Sequence, residues 1–209
     1  MKGLLLKDFF VMLYRCKGYL FVTAATLFSS FLDDDPISSL IFFPCLVCGM
    51  IPISLLGYDE RSGFLQYSAA LPYSRKDIVS AKYLLSLFLT FTVLVLTVIV
   101  QVLRMWLRVG FVPGWFKQPM LSAFLASTLT PAITLPFIFR YGIERGRIAY
   151  YVMIGFVCIG TMLVSGFVNG DILRRLSSGA VLAALAVAGG GIYALSWHLS
   201  VVFFRNREL

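Results

Sequence analysis

Long apolar stretches separated by short polar segments run through most of the chain. A transmembrane helix needs about 20 apolar residues, because each residue adds about 1.5 Å and the hydrocarbon core is about 30 Å thick. The stretches predict six membrane-spanning helices, at residues 18–32, 37–56, 83–103, 119–139, 148–167 and 179–204. The pattern therefore predicts an all-α integral membrane protein, with a single transmembrane domain over residues 1–209.

The first 17 residues have a different, amphipathic pattern. Large apolar side chains share one arc of a helical wheel, and Lys7, Asp8 and Arg15 lie opposite them. The members of the apolar arc are Leu5, Leu6, Phe9, Phe10, Met12 and Leu13. This pattern predicts an interfacial helix over 1–17, lying in the cytoplasmic membrane surface ahead of the first span. The alternative is a disordered basic tail.

The composition agrees with lipid as the solvent. Of the 209 residues, 59% are hydrophobic and 13% charged, whereas soluble domains have about 25% charged residues. The net charge is +8, but the basic residues lie in short loops and do not form one polar face, so nucleic acid is not the expected partner. With both termini in the cytoplasm, the loops obey the positive-inside rule. The basic residues then left outside are Arg104, Arg108, Lys117, Arg174 and Arg175.

The predicted spans lack the groups that membrane enzymes and ion-driven carriers need. No acidic or basic residue lies in their cores, whereas carriers usually have such groups at the midplane. His198 and Gln101 are read as helix–helix hydrogen-bonding residues, and Cys45 and Cys48 as small apolar packing residues. The sequence also has no phosphate-binding loop of the G-x-x-x-x-G-K-[ST] type. Any ATP-driven activity would therefore need another chain.

The polar segment 57–82 is the longest predicted cytoplasmic loop. Pro72 ends any helix before it, and Ser74 with Asp77 forms a capping-box pattern that predicts a new helix from about Arg75. A short apolar stretch inside the loop is too short to span the membrane. Its large side chains are Phe64, Leu65, Tyr67 and Leu71. Two readings stay open: a helix that docks into a groove of a cytoplasmic partner, or a plain interfacial connector.

The same segment resembles a known family. Asp59, Glu60 and Gly63, then residues 71–75, then Lys82 ahead of a span, are similar to the small membrane subunits of ABC-2 type ABC transporters. The amphipathic start and the chain length are similar as well. Within that family, the chain looks most like permeases that export amphipathic cytolytic peptides in Gram-positive bacteria, the phenol-soluble-modulin type.

The resemblance implies a multi-pass permease of the bacterial plasma membrane that has no enzymatic activity and no cofactor of its own. Two copies would pair, and two separate ATPase subunits would bind ATP and magnesium. It assigns coupling to the ATPase to eight residues: Asp59, Glu60, Gly63, Phe64, Leu65, Tyr67, Leu71 and Arg75. Candidates for the outer mouth of the pathway are Arg104, Arg108, Arg174 and Arg175; the alternative for them is solvated loop charges.

Two other function classes remain open at this point. A secondary carrier would work without an ATPase, and the missing midplane charges count against it. A non-transporting sensor or assembly protein would stimulate no ATPase in response to a substrate.

Overall fold

The computed structural model describes residues 2–32, 43–64, 67, 74–109, 113–167 and 179–205. Within these ranges the regular elements are all helical. They are α1 (Lys2–Arg15), α2 (Lys17–Leu32), α3 (Phe43–Arg61), α4 (Arg75–Arg104), α5 (Pro113–Tyr141), α6 (Ile143–Phe167) and α7 (Gly179–Arg205). A π-helical turn, Met105–Val109, continues α4. The all-α class is therefore confirmed for the described part of the chain.

The described helices overlap all six predicted spans, although residues 37–42 of the second span lie outside the described residues. Two segments of the described chain, Arg75–Leu107 and Val187–Arg205, are long and apolar enough to cross a membrane. The crossing by the other helices stays a prediction, and so does the orientation of the termini.

The start of α4 was predicted from local chemistry, and the structure confirms it. Ser74 accepts a hydrogen bond from the backbone N–H of Asp77, and the Asp77 carboxylate accepts one from the backbone N–H of Ser74. This capping box satisfies backbone donors that the first helical turn leaves unpaired.

The end of α3 differs from the prediction. The second span was expected to end at residue 56, with a loop from residue 57, but the helix continues to Arg61. Asp59 and Glu60 therefore belong to α3 and not to a loop. The helix tolerates its polar end because Asp59 is buried against basic side chains, as described below.

The N-terminal helix packs on an unexpected face. Leu4, Asp8 and Met12 are spaced one turn apart and are buried. Most of the predicted apolar arc, including Leu6 and Phe10, is exposed. The arc is thus free to contact lipid, while Asp8 belongs to the protein interior and not to a solvated polar face.

Helices α3, α4 and α5 supply the centre of the structure. Each contributes to both clusters of buried apolar side chains. Cys45 and Cys48 are buried free cysteines within the first cluster, in agreement with their reading as packing residues.

Two glycines allow close helix approaches. A methyl group built at Gly49 of α3 would lie 2.3 Å from the Thr130 Cγ2 of α5, and one at Gly146 would lie 2.2 Å from Ile138 Cγ1. The glycines at 190 and 191 differ, since a methyl group there meets nothing within 4 Å. Gly190 and Gly191 therefore face open space, and close packing against another described helix does not explain them.

Candidate functional site

The end of α3 and the turn after it form the described part of the predicted coupling segment. Gly63 has a φ of +69°, a left-handed conformation that glycine adopts without steric cost. This turn leads to Tyr67, whose N–H donates to the carbonyl of Gly63 at 3.0 Å. Leu65 and Leu71, which were predicted to take part in docking, lie outside the described residues.

A cluster of four charged side chains, three of them buried, lies at this end of α3. Lys82 of α4 is 2% exposed, and its Nζ is 2.7 Å from Asp8 Oδ1 and 2.5 Å from Asp59 Oδ2. Lys7 completes the cluster, with its Nζ 2.7 Å from Asp59 Oδ1 and 3.2 Å from Asp8 Oδ1. We call Lys7, Asp8, Asp59 and Lys82 the charge cluster. It joins α1, α3 and α4 at one point.

The charges of the cluster balance, with two carboxylates facing two ammonium groups. Burying a single ion costs several kcal/mol, and opposite charges with good hydrogen-bond geometry offset that cost. One atom remains without a hydrogen bond, the Asp8 Oδ2. The arrangement therefore depends on all four side chains being present.

The cluster also reaches the coupling segment through an aromatic ring. The Nζ of Lys7 lies 3.4 Å from the centroid of the Phe64 ring, which is within the range of a cation–π interaction. Phe64 is partly buried, so this predicted docking residue also packs against α1 of its own chain.

Other residues of the segment face outward. Tyr67 is 64% exposed, and Glu60 is exposed next to the buried Asp59. A buried carboxylate and an exposed one thus follow each other on α3. Glu60 and Tyr67 are therefore two of the described residues of the segment that another molecule can reach.

Arg75, also predicted to act in coupling, ties two helices together. Its Nη1 donates to the carbonyl oxygens of Phe204 at 3.3 Å and Arg205 at 2.9 Å. These carbonyls lie at the end of α7, where a helix has no intrahelical donors left for them. A cation also suits the negative end of the helix dipole. The start of α4 is therefore fixed to the end of α7.

A second link between α4 and α7 lies deeper in the fold. The Tyr83 hydroxyl is 2.7 Å from both the Ser196 and the Ser200 hydroxyls. Ser196 in turn donates to the Ala132 carbonyl of α5 at 2.6 Å, and the Tyr193 hydroxyl donates to the Tyr83 carbonyl at 2.9 Å. These bonds hold three helices in one register.

Of the four predicted outer-mouth arginines, the structure describes Arg104 and Arg108. Arg104 is the last residue of α4 and is fully buried, and its Nη1 donates to the Ser30 carbonyl of α2 at 3.2 Å. Its assignment to a loop was therefore wrong, and it is not a solvated charge. Arg108 belongs to the π-helical turn, and Arg174 and Arg175 lie outside the described residues.

The charge cluster is the feature that sequence reasoning missed. Lys7 and Asp8 were assigned to the polar side of the N-terminal helix, and Lys82 to the end of the cytoplasmic loop. The available signal was a carboxylate at the end of one apolar stretch and a lysine at the start of the next. No group of three histidine, cysteine or acidic residues lies close enough to hold a metal ion within the described ranges.

Comparison with known proteins identifies the family. A family model described as ABC-2 family transporter protein matches residues 3–205. No curated protein matches the chain, and no solved structure matches it. Proteins of this family are membrane permease components of ABC transporters, and they work with an ABC ATPase subunit. Because the match spans nearly the whole sequence, the chain belongs to the ABC-2 family of transporter proteins.

Proposed function

We propose that this chain is the permease subunit of an ATP-driven exporter in the bacterial plasma membrane. Two copies form the pathway, and two ATPase subunits bind ATP and magnesium below them. The end of α3 and the turn that follows receive the movement of the ATPase. The substrate is an amphipathic or hydrophobic molecule, of the class of cytolytic or antimicrobial peptides.

The charge cluster is the observation that supports this proposal most directly. A docking segment transmits force only if its own displacement moves the spans. Asp59 lies four residues before Gly63 and is bonded to Lys82 of α4 and Lys7 of α1. A shift of the segment would therefore act on three helices at once, since packed interiors move as units and do not deform continuously.

The exposed residues of the segment supply the contact. Tyr67 presents a large ring to the outside, and such rings are enriched among the residues that dominate binding energy at protein interfaces. Glu60 adds an exposed carboxylate on the adjacent turn. This division supports a role in which buried Asp59 transmits the movement and exposed Tyr67 meets the partner.

The choice of an amphipathic substrate rests on the resemblance and on the apolar spans. A pathway with few charges in its walls favours cargo that exposes apolar surface. Cargo that already lies in the membrane surface can reach such a pathway from the bilayer, without crossing water.

Co-purification with the partner ABC ATPase subunit tests the docking role. We expect Tyr67→Asp to abolish co-purification, because it places a charge at the contact. Tyr14→Asp is the control, since Tyr14 is an exposed tyrosine of α1. Undiminished assembly of the Tyr67→Asp variant would contradict docking at this segment.

ATP hydrolysis by the reconstituted complex tests whether an amphipathic peptide is the cargo. We expect an amphipathic helical peptide to stimulate ATP hydrolysis, and a scrambled peptide of equal composition to have no effect. Transport by the purified chain alone, driven by a proton or sodium gradient, would instead establish a secondary carrier.

A further inference from the structure

An apolar groove opens on the surface between α4, α5 and α7. Its volume is about 610 Å³, within the usual range of ligand sites. Its lining includes Ser80, Leu84, Leu87, Gly190, Ala194 and Trp197. Leu84 and Leu87 are about half exposed, so the groove is open along its side and a molecule can enter it laterally.

Measured along α4, the groove is about as long as one lipid leaflet is thick. Its α4 wall runs from Ser80 to Thr90, and ten residues of helix span about 15 Å. The hydrocarbon core of a bilayer is about 30 Å thick, so each leaflet contributes about half of it. A single acyl chain lying along α4 would therefore extend through the whole groove.

Two basic residues lie beyond one end of the groove, one on each of two helices that line it. Lys76 is exposed one helical turn before Ser80, on the same face of α4. Arg205 is exposed about three turns after Ala194, another lining residue, and so lies close to the same face of α7. The Arg75 bonds to the end of α7 hold these two helix ends together. Both basic side chains are thus placed at the polar end of an apolar groove.

The position of Gly190 is consistent with a molecule bound in the groove. A methyl group at Gly190 would meet nothing within 4 Å, so the glycine widens the groove without serving a contact between described helices. Trp197 lies nearer the charged end, and its indole N–H donates to the Ser80 hydroxyl at 3.1 Å. Tryptophan commonly occupies the depth of the lipid headgroups.

We propose that this groove binds one anionic phospholipid. The phosphate lies between Lys76 and Arg205, and an acyl chain extends past Trp197 and Gly190 toward Leu87. Because an acyl chain gains no hydrophobic free energy on leaving surrounding lipid, selectivity comes from the headgroup. Basic pockets between transmembrane helices are suited to such headgroups.

A second copy of the chain is a weaker candidate for the occupant. A pair related by an axis along the membrane normal keeps equivalent ends at the same depth. The basic ends of two grooves would then face each other, and like charges across an interface are unfavourable. No acidic residue is among the described residues that line the groove, so the lining offers nothing to offset this repulsion. The proposed lipid site does not depend on the proposed coupling to an ATPase.

Fluorescence of Trp197 in vesicles tests the proposal. The other two tryptophans are replaced, Trp106→Phe and Trp115→Phe, and the chain is reconstituted with brominated phosphatidylglycerol or brominated phosphatidylcholine, which quench on contact. We expect the anionic lipid to quench at a several-fold lower mole fraction. In the Lys76→Gln/Arg205→Gln variant this preference disappears, because each basic group near a membrane surface contributes about fivefold in affinity.

Two matched controls separate the site from general lipid contact. Arg61→Gln/Arg145→Gln removes two exposed charges that do not belong to the groove, and we expect it to retain the preference. Gly190→Phe fills the groove and lowers quenching by both lipids. Gly191→Phe places the same ring on the neighbouring position, which also faces open space but does not line the groove, and leaves quenching unchanged.

Two results would overturn the proposal. Equal quenching by both lipids, insensitive to Lys76→Gln/Arg205→Gln, would mean ordinary contact with bulk lipid. Absence of quenching by either lipid would mean that protein, such as a second copy, covers the groove.

Discussion

Lys82 and Asp8 lie 74 residues apart in the chain, and their side chains form a buried ion pair with 2.7 Å between Nζ and Oδ1. The pair fixes the N-terminal helix to α4. Removing one partner of a buried pair leaves an uncompensated charge, which is strongly unfavourable. α1 is therefore an integral part of the folded domain, and its exposed apolar arc is held in a defined orientation.

The adjacent carboxylates on α3 allow a matched test of the charge cluster. We expect Asp59→Ala to destabilise the protein by about 3 kcal/mol, because Lys82 and Lys7 both lose a buried partner. Glu60→Ala, at an exposed position, should cost no more than about 1 kcal/mol, because interactions of solvent-exposed charges contribute little. Thermal unfolding in detergent measures both. Equal midpoints for the two variants would mean that the cluster does not stabilise the fold.

The Tyr83 hydroxyl should contribute measurably to helix association. Tyr83→Phe removes its bonds to Ser196 and Ser200, and such interhelical bonds contribute about 0.6 to 2 kcal/mol in membranes. Tyr151→Phe on α6 changes an exposed ring and should leave stability unchanged. Unfolding midpoints of the two variants check this, and a Tyr83→Phe protein as stable as the control would show that the bonds are dispensable.

The α3–α5 approach predicts a specific clash and its rescue. Gly49→Ala places a methyl group 2.3 Å from Thr130 Cγ2, and overpacking of this kind costs about 1 to 3 kcal/mol. Thr130→Ser removes that methyl group but retains the hydroxyl that donates to the Ala126 carbonyl, so the double variant should regain much of the loss.

Gly155→Ala is the control for this clash. Its methyl group meets nothing within 4 Å, and helix propensity alone predicts a gain of up to about 1 kcal/mol. A destabilised Gly155→Ala protein, or a double variant without recovery, would contradict the steric explanation. Thermal unfolding compares four proteins: the wild type, Gly49→Ala, Gly49→Ala/Thr130→Ser and Gly155→Ala.

Arg104 should contribute to the stability of the fold. Arg104→Met removes the donor to the Ser30 carbonyl near the end of α2, and an unsatisfied buried acceptor costs about 1 to 3 kcal/mol. Arg140→Met, an exposed arginine in the last turn of α5, serves as the control. Comparable unfolding midpoints would show that Arg104 is not a structural residue.

Local features of the fold could be predicted from the sequence. The capping box at Ser74 and Asp77 places the start of α4 because its hydrogen bonds join residues three positions apart. The end of α7 was likewise expected within one residue, since the apolar stretch stops at Phe204. At these two ends, the local sequence is enough to place the helix bound without reference to distant residues.

The site could not be predicted in the same way. Asp8 belongs to the polar side of an amphipathic pattern, which normally indicates solvent, and only tertiary packing pairs it with Lys82. Arg104 follows an uncharged stretch, so it was assigned to a loop, yet the helix includes it because Ser30 of another helix supplies an acceptor. A charged residue that pairs with a distant part of the chain can be included in a helix. The helix then ends later than hydropathy alone indicates.

The bond between Arg75 and the end of α7 has a consequence for biosynthesis. Arg75 is separated in sequence from its two partners by 129 and 130 positions. Tyr83 is separated from Ser196 and Ser200 by 113 and 117 positions. During translation α4 must therefore remain incompletely packed until the final helix has left the ribosome. A nascent chain arrested before residue 196 should expose the polar face of α4 to chaperones or the insertion machinery, which makes release of the last helix the event that completes folding.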